Sequence, residues 1–110
     1  MKLLAFPVAA LVAFPAMAVE QVRCSRDDGP AKPCTYADTV QPDGSHRMMF
    51  TGDGRPTIFI GKPQTGWWSG TLNGKPAMGY ERNRGNIVFS TTDLSSRFAW
   101  WYPTEEHGSY

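Results

Sequence analysis

Apolar and polar residues alternate along short segments of the chain, and glycine or proline interrupts them at short intervals. Alternation with a period of two is typical of half-buried strands, because successive side chains point to opposite faces of a sheet. No segment between these interruptions carries a convincing apolar stripe with helical spacing. The pattern therefore predicts an all-β chain.

About eight strands are predicted. The strongest signal is Thr57-Ile58-Phe59-Ile60, in which every residue is β-branched or aromatic. Pro76 stands at the start of its strand, where it does not break a hydrogen-bonded ladder. The predicted strands are residues 19–24, 35–40, 45–51, 57–60, 67–72, 76–83, 87–91 and 97–102.

Short turns connect these strands in sequence. Asn73-Gly74 is the best hairpin signal, because both central residues of a type I′ turn need positive φ. Sequential strands usually pair with their neighbours, and an antiparallel meander of this length hides its edges best by closing on itself. We therefore expect a closed or nearly closed antiparallel barrel, with a two-sheet sandwich as the alternative.

The start of the chain departs from this pattern. Lys2 precedes an apolar run from Leu3 to Phe14, and Ala16-Met17-Ala18 offers small residues to a signal peptidase. The run is shorter than the roughly 20 residues that span a bilayer. We therefore expect a cleaved signal peptide (residues 1–18), a single β domain (residues 19–103) and a flexible C-terminal tail (residues 104–110). The mature protein would be periplasmic or secreted, with no membrane insertion.

Cys24 and Cys34 are the two cysteines of the chain. An even pair in an exported protein predicts a disulfide. The segment between them contains Asp28-Gly29-Pro30, which turns easily. Closing so short a loop stabilises a chain by roughly 2.5–3 kcal/mol in the chain-entropy model.

The charged and nucleophilic residues argue against several functions. The formal net charge is +1 and falls to zero without Lys2, so nothing favours a nucleic-acid partner. The sequence has no Gly-x-Ser-x-Gly motif, no phosphate-binding loop and no cluster of metal ligands. We expect no enzyme activity, catalytic residue, metal or cofactor. If the chain were a hydrolase, Glu81 would be the best candidate, as the carboxylate in the middle of a strand.

Tryptophan is the unusual feature of the composition. The pairs Trp67-Trp68 and Trp100-Trp101 lie in predicted strands, so one ring of each pair should point inward and the other outward. The neighbours on each face predict that Trp68 and Trp100 are core residues and that Trp67 and Trp101 are exposed. Gly79, in a strand interior, should leave room for a neighbouring Trp ring.

The outward rings suggest a binding surface. We predict an exposed patch formed by Trp67, Trp101, Tyr80, Arg82 and Arg84. Trp, Tyr and Arg are the residues that most often anchor interfaces, and exposed aromatic patches mark binding sites. The leading hypothesis is an exported, non-catalytic protein that binds another protein. The alternatives are a small module that binds cell-wall glycan and a hydrolase of unknown type, and the oligomeric state stays open.

In size, single Cys24–Cys34 disulfide and inferred eight-strand closure, the chain resembles the small periplasmic inhibitors of lysozyme. The resemblance is one of architecture, since no inhibitory-loop motif carries over residue by residue. It implies that the protein partner would be an enzyme that this chain inhibits.

Overall fold

The computed structural model describes residues 19–52, 54–83 and 85–105. In this part of the chain, eight antiparallel strands follow one another, and β8 pairs with β1 to close the barrel. The strands are β1 (Val19–Arg26), β2 (Lys32–Val40), β3 (His46–Thr51), β4 (Thr57–Pro63), β5 (Trp68–Leu72), β6 (Lys75–Asn83), β7 (Asn86–Thr91) and β8 (Arg97–Trp101). The predicted all-β meander barrel is confirmed.

The predicted signal peptide and residues 106–110 of the predicted tail lie outside the described residues. A 3₁₀ turn, Pro103–Glu105, follows β8 and includes the first two residues of that tail. No helix in the described ranges is long and apolar enough to cross a membrane.

The core is on the inner face of the barrel. In β4, Thr57, Phe59 and Gly61 are buried, whereas Ile58 and Ile60 between them are only partly buried. This alternation is expected where one face of a strand lines the core. In β7 and β8, residues of both faces are buried, because a second apolar cluster covers part of the outer face. The apolar residues buried together are Val22, Cys24, Cys34, Met48, Phe50, Phe59, Leu72, Ala77, Phe89, Phe98 and Trp100.

Turn chemistry follows the sequence closely. Asn73 and Gly74 have φ of 50° and 87°, which confirms a turn with two left-handed residues. The Asn73 side chain also accepts a hydrogen bond of 2.8 Å from the backbone N–H of Ile58. The β4–β5 turn is shorter than predicted, because β4 continues to Pro63. The turn also includes Trp67, which was expected in β5 and whose carbonyl accepts a bond from the Gln64 N–H.

The predicted Cys24–Cys34 disulfide is confirmed. The two Cα atoms are 6.1 Å apart on β1 and β2, and both residues are buried in the core. The bond therefore ties together the first two strands of the barrel, next to the seam that β1 makes with β8.

Two glycines let neighbouring strands and rings approach closely. A Cβ on Gly70 would collide with the carbonyl oxygen of Ile60, and a Cβ on Gly79 would lie 2.8 Å from the Phe89 ring. Phe89 in turn stacks on Phe59, with ring centroids 4.0 Å apart. A ring does cross Gly79, as expected, but it belongs to Phe89 and not to a tryptophan.

The barrel has two different ends. We call the end with the β1–β2, β3–β4, β5–β6 and β7–β8 turns the closed end, because the inward-facing side chains nearest to it are buried. Thr57, Leu72, Thr91 and Phe98 are all buried there, and the Arg26 guanidinium lies over the Phe98 ring at 5.5 Å. The opposite end, where β1 begins and β8 ends, we call the open end.

Candidate functional site

A cavity of about 310 Å³ occupies the open end of the barrel. Small-molecule sites often lie in the mouths of β-barrels, and this volume is at the small end of their range. We call it the mouth cavity and define it by Tyr36, Asp38, His46, Trp68, Trp100 and Tyr102, which form much of its wall.

The sheet register brings these side chains together. Residues that lie opposite one another on neighbouring strands point to the same face. Tyr36 on β2 lies opposite Phe50, and Asp38 lies opposite Met48, on β3. Since Met48 and Phe50 are core residues, Tyr36 and Asp38 also face inward, but closer to the open end.

Aromatic rings form a continuous wall on one side of the mouth cavity. The Tyr36 centroid is 4.5 Å from the Trp100 ring and 5.0 Å from the Phe50 ring, and Trp100 packs against Tyr102 at 5.6 Å. Trp100 is 7% exposed, and its Nε1 has no hydrogen-bond acceptor among the described residues. The wall therefore offers flat apolar surface and one buried N–H donor without an acceptor.

A smaller cavity of about 230 Å³ adjoins the first and is lined by Glu20, Tyr36, Asp38 and Tyr102. We call it the acidic vestibule. The Tyr102 hydroxyl donates a hydrogen bond to the Glu20 carboxylate. The vestibule thus combines two phenol rings with two carboxylates.

Both tyrosines of the vestibule have raised pKa values. Burial, followed by the negative charge of Asp38 and Glu20, raises the pKa of Tyr36 well above its ordinary value. Burial and the hydrogen bond to Glu20 raise the pKa of Tyr102 to about 12. Both phenols therefore stay protonated at neutral pH and act as neutral walls.

Asp38 is held by His46. The His46 Nδ1 lies 2.9 Å from one carboxylate oxygen and 3.1 Å from the other. An ionised carboxylate only accepts hydrogen bonds, so Nδ1 is the donor. On its other side, His46 meets the Trp68 ring edge-on at a centroid distance of 5.0 Å. These contacts fix the carboxylate at the rim of the cavity.

The His46–Asp38 pair resembles the base of a catalytic arrangement, in which a carboxylate orients an imidazole. Such a base activates either a nucleophilic side chain or a water molecule, and the described residues that line the mouth cavity include no serine, threonine or cysteine. Among the described residues, no group of three or more His, Cys, Asp or Glu side chains is placed to hold a metal ion.

A groove of about 280 Å³ continues from the mouth cavity over the rim, and Trp68 and Ile87 line both. We call it the Trp67 groove, lined also by Trp67, Tyr80 and Glu81. Trp67 is 42% exposed. Glu81 accepts a hydrogen bond from the backbone N–H of Gly85 at 2.6 Å, so it adds a third carboxylate on this side of the open end.

The patch predicted from the sequence is only partly assembled. Trp67 and Tyr80 meet in the Trp67 groove. Arg82 is exposed, and its guanidinium donates to the Asn86 side chain at 3.1 Å. Arg84 lies outside the described residues.

The prediction that Trp101 is exposed is wrong. It faces outward as expected, but only 8% of its surface is exposed, because it packs with Val88, Ala99 and Tyr80 in a second apolar cluster on the outer face. Period-two alternation gives the face of a residue and not what covers that face, so the sequence could not reveal this burial.

The residues of the mouth cavity and vestibule were not predicted as a site. Trp68 and Trp100 were expected in the core, and Glu20, Asp38 and His46 were given no role. One signal was available: these three ionisable residues occupy inward-facing positions near strand ends, where an apolar side chain would be usual. Finding it required the register between strands.

The chain was compared with protein-family models, curated proteins and solved structures, and none of them matches. The resemblance to the small periplasmic inhibitors of lysozyme therefore rests only on size, strand number and the single Cys24–Cys34 disulfide.

Proposed function

We propose that this chain is an exported, non-catalytic binding protein that takes its ligand into the mouth cavity. The observation that supports the proposal best is the cavity itself, about 310 Å³ at one end of a barrel whose inward-facing side chains at the other end are buried. Native interiors are close-packed, so an aromatic-lined cavity that opens to solvent is an unusual feature for a domain that needs only a stable core.

The size and lining define what the cavity can accept. Its volume suits a molecule of about ten heavy atoms or one side chain of a larger partner. Trp68, Trp100 and Tyr36 offer rings for stacking. Because no serine, threonine or cysteine is among the described residues that line the cavity with His46, we favour binding over turnover.

A protein partner or a cell-wall glycan, the two kinds of partner predicted from the sequence, would bind at the open end. A protein partner would contact the exposed Trp67 and insert one of its side chains into the cavity. A cell-wall glycan would stack a sugar ring on Trp68 or Trp67. Both would use the open end, and neither needs Trp101, which is buried.

Saturation-transfer NMR on the purified protein tests this proposal. The probes are 2-phenylethylammonium, 2-phenylethanol, 3-phenylpropanoate and N-acetylglucosamine. We expect transfer to at least one probe, and its loss in Trp68→Ala, which removes a wall of the cavity. Met78→Ala is the control, because Met78 is an exposed residue on the outer face.

Transfer to N-acetylglucosamine alone would favour the glycan module. The proposal would be wrong if no probe shows transfer, or if transfer is the same in Trp68→Ala and the unchanged protein. Slow chemical conversion of any probe, lost in His46→Gln, would instead favour an enzyme.

A further inference from the structure

We infer that the ligand of the mouth cavity is an organic cation, with its apolar part against the aromatic wall and its charged group between the carboxylates of the acidic vestibule. This inference rests on the proposed function and names the chemical class of the ligand. It depends on three features of the open end: the sign of its charge, the position of its rings and the way its carboxylates are held.

Among the described residues that line the open end, carboxylates predominate, and His46 is paired with Asp38. Glu20 and Asp38 line the vestibule, and Glu81 lines the Trp67 groove beside it. The described residues that line the mouth cavity, the vestibule and the groove include no lysine or arginine. Low-dielectric walls lined by one sign of charge concentrate ions of the opposite sign. The open end therefore favours a cation.

The raised pKa of Tyr36 is consistent with a negative electrostatic potential at the open end. After burial, the negative charge of Asp38 is the largest cause that raises its pKa, and Glu20 acts in the same direction. A field that opposes formation of a tyrosinate anion also stabilises a positive charge at the same place.

The rings lie where a cation would use them. Tyr36 and Tyr102 line the vestibule together with the two carboxylates. An ammonium or guanidinium group is attracted to the face of an aromatic ring, more strongly where water is excluded. The Tyr36 and Trp100 rings then continue into the mouth cavity, 4.5 Å apart, and can pack against the apolar part of the same molecule.

The two carboxylates are fixed before any ligand arrives. Glu20 accepts from the Tyr102 hydroxyl, and Asp38 accepts from the His46 Nδ1 at 2.9 Å. Each carboxylate has about four lone-pair positions, so these bonds leave acceptor capacity for a ligand. Fixing the acceptors in advance reduces the entropy that binding must overcome.

Three probes of nearly equal shape test the charge requirement on the unchanged protein. We would measure dissociation constants by ¹H–¹⁵N NMR titration with 2-phenylethylammonium, neutral 2-phenylethanol and anionic 3-phenylpropanoate. We expect the cation to bind roughly tenfold more tightly than the alcohol and the anion to bind most weakly. The advantage of the cation should shrink when salt is raised to about 1 M.

Charge-removing variants then test the residues. Glu20→Gln and Asp38→Asn keep the side-chain shape, and each should weaken binding of 2-phenylethylammonium by roughly three- to tenfold while leaving 2-phenylethanol unchanged. Asp28→Asn is the matched control, since Asp28 pairs with Arg97 and Arg82 at 2.8 and 4.0 Å and lines none of the three cavities of the open end. It should have no effect on either probe.

Two sources of the cation can be told apart with Nα-acetyl-L-arginine methylamide, which presents a cationic side chain in a peptide. Tighter binding of this probe than of 2-phenylethylammonium would point to a side chain of a protein partner. The reverse order would point to a free cationic metabolite.

The inference is overturned if 2-phenylethanol or 3-phenylpropanoate binds as tightly as the cation. It is also overturned if neither carboxylate variant changes the preference. If all three probes bind with equal affinity and Trp68→Ala abolishes their binding, the cationic ligand is rejected and the mouth cavity remains the binding site. Absence of any binding that depends on Trp68 would discard both.

Discussion

At the closed end of the barrel, inward-facing side chains fill the interior, whereas at the open end they line a cavity. Phe98 and Leu72 at the closed end are almost completely buried. Tyr36 and Trp68 at the open end are partly exposed and border about 310 Å³ of space. The same eight strands form both ends, so the difference comes from which side chains and turns stand at each end.

Side-chain hydrogen bonds at the closed end hold its turns in place. The Thr91 hydroxyl accepts bonds of 3.0 Å from the N–H groups of Ser95 and Ser96. Asp27 accepts a bond of 2.9 Å from the Arg97 N–H. The side-chain hydrogen bonds of the open end instead hold two carboxylates at its rim. On our proposal, one end of this barrel provides stability while the other holds chemical groups for a ligand.

The largest expected effect is at the closed end. Phe98 is 2% exposed, so Phe98→Ala should lower the free energy of unfolding by about 3–5 kcal/mol, through lost burial and the cavity left behind. Trp68→Ala, at the open end, should cost less than half as much, because Trp68 already borders open space. Urea unfolding of both variants measures this. Equal losses would contradict the division between the two ends.

The disulfide should have the next largest effect. Replacing Cys24 and Cys34 together by alanine should lower the free energy of unfolding by roughly 2.5–3 kcal/mol, because the unfolded chain regains the entropy of a short loop. Chemical denaturation of the double variant beside the unchanged protein gives this value. A loss below about 1 kcal/mol would mean that the β1–β2 pairing is held by packing alone.

Asp93 connects the stability of the closed end to pH. Hydrogen bonds from the Ser95 hydroxyl and N–H, at 2.7 and 2.9 Å, lower its pKa well below the ordinary range. A lowered folded-state pKa stabilises the protein above about pH 4, and this stability is lost as pH falls further. Asp93→Asn should therefore be less stable than the unchanged protein near neutral pH, and this difference in stability should narrow in acid. Urea midpoints at about pH 7 and about pH 2.5 test this, and an unchanged gap would contradict it.

Tyr102 gives the corresponding, smaller effect at the open end. Its pKa of about 12 is above the ordinary value of about 10. A raised folded-state pKa means that the stabilisation is complete below about pH 10 and is lost as pH rises through about 12. The tyrosinate absorbance titration of the unchanged protein, minus that of Tyr102→Phe, should show one phenol titrating near 12. Glu20→Gln should lower that value, and a difference curve centred near 10 would contradict the contact.

Much of this fold could be predicted because local signals agree with one another. Thr57–Ile60 fits a strand by composition, Asn73-Gly74 fits only a tight hairpin, and Cys24 and Cys34 are close enough in sequence to pair. Each of these signals acts within a few residues. The closure of the barrel followed from them, because an eight-strand meander leaves edges that must be hidden.

The candidate site was harder to predict because it depends on register. Trp68 was expected in the core, and it does face inward, but its position next to a strand end makes it a cavity wall. Asp38 and His46 are on different strands, and only their pairing places them 2.9 Å apart. Trp101 differs from Trp68, because the sequence predicts its outward direction correctly but does not predict that neighbouring side chains bury it.

The most direct test of the account follows the four indole N–H signals of ¹⁵N-labelled protein during titration with 2-phenylethylammonium. Trp68 and Trp100 line the mouth cavity. Their signals should shift progressively and saturate. The signal of Trp101, buried in the outer cluster, should stay in place. Saturable shifts of Trp101 without shifts of Trp68 and Trp100, or no saturable shift at all, would contradict the claim that the open end of the barrel is the binding site.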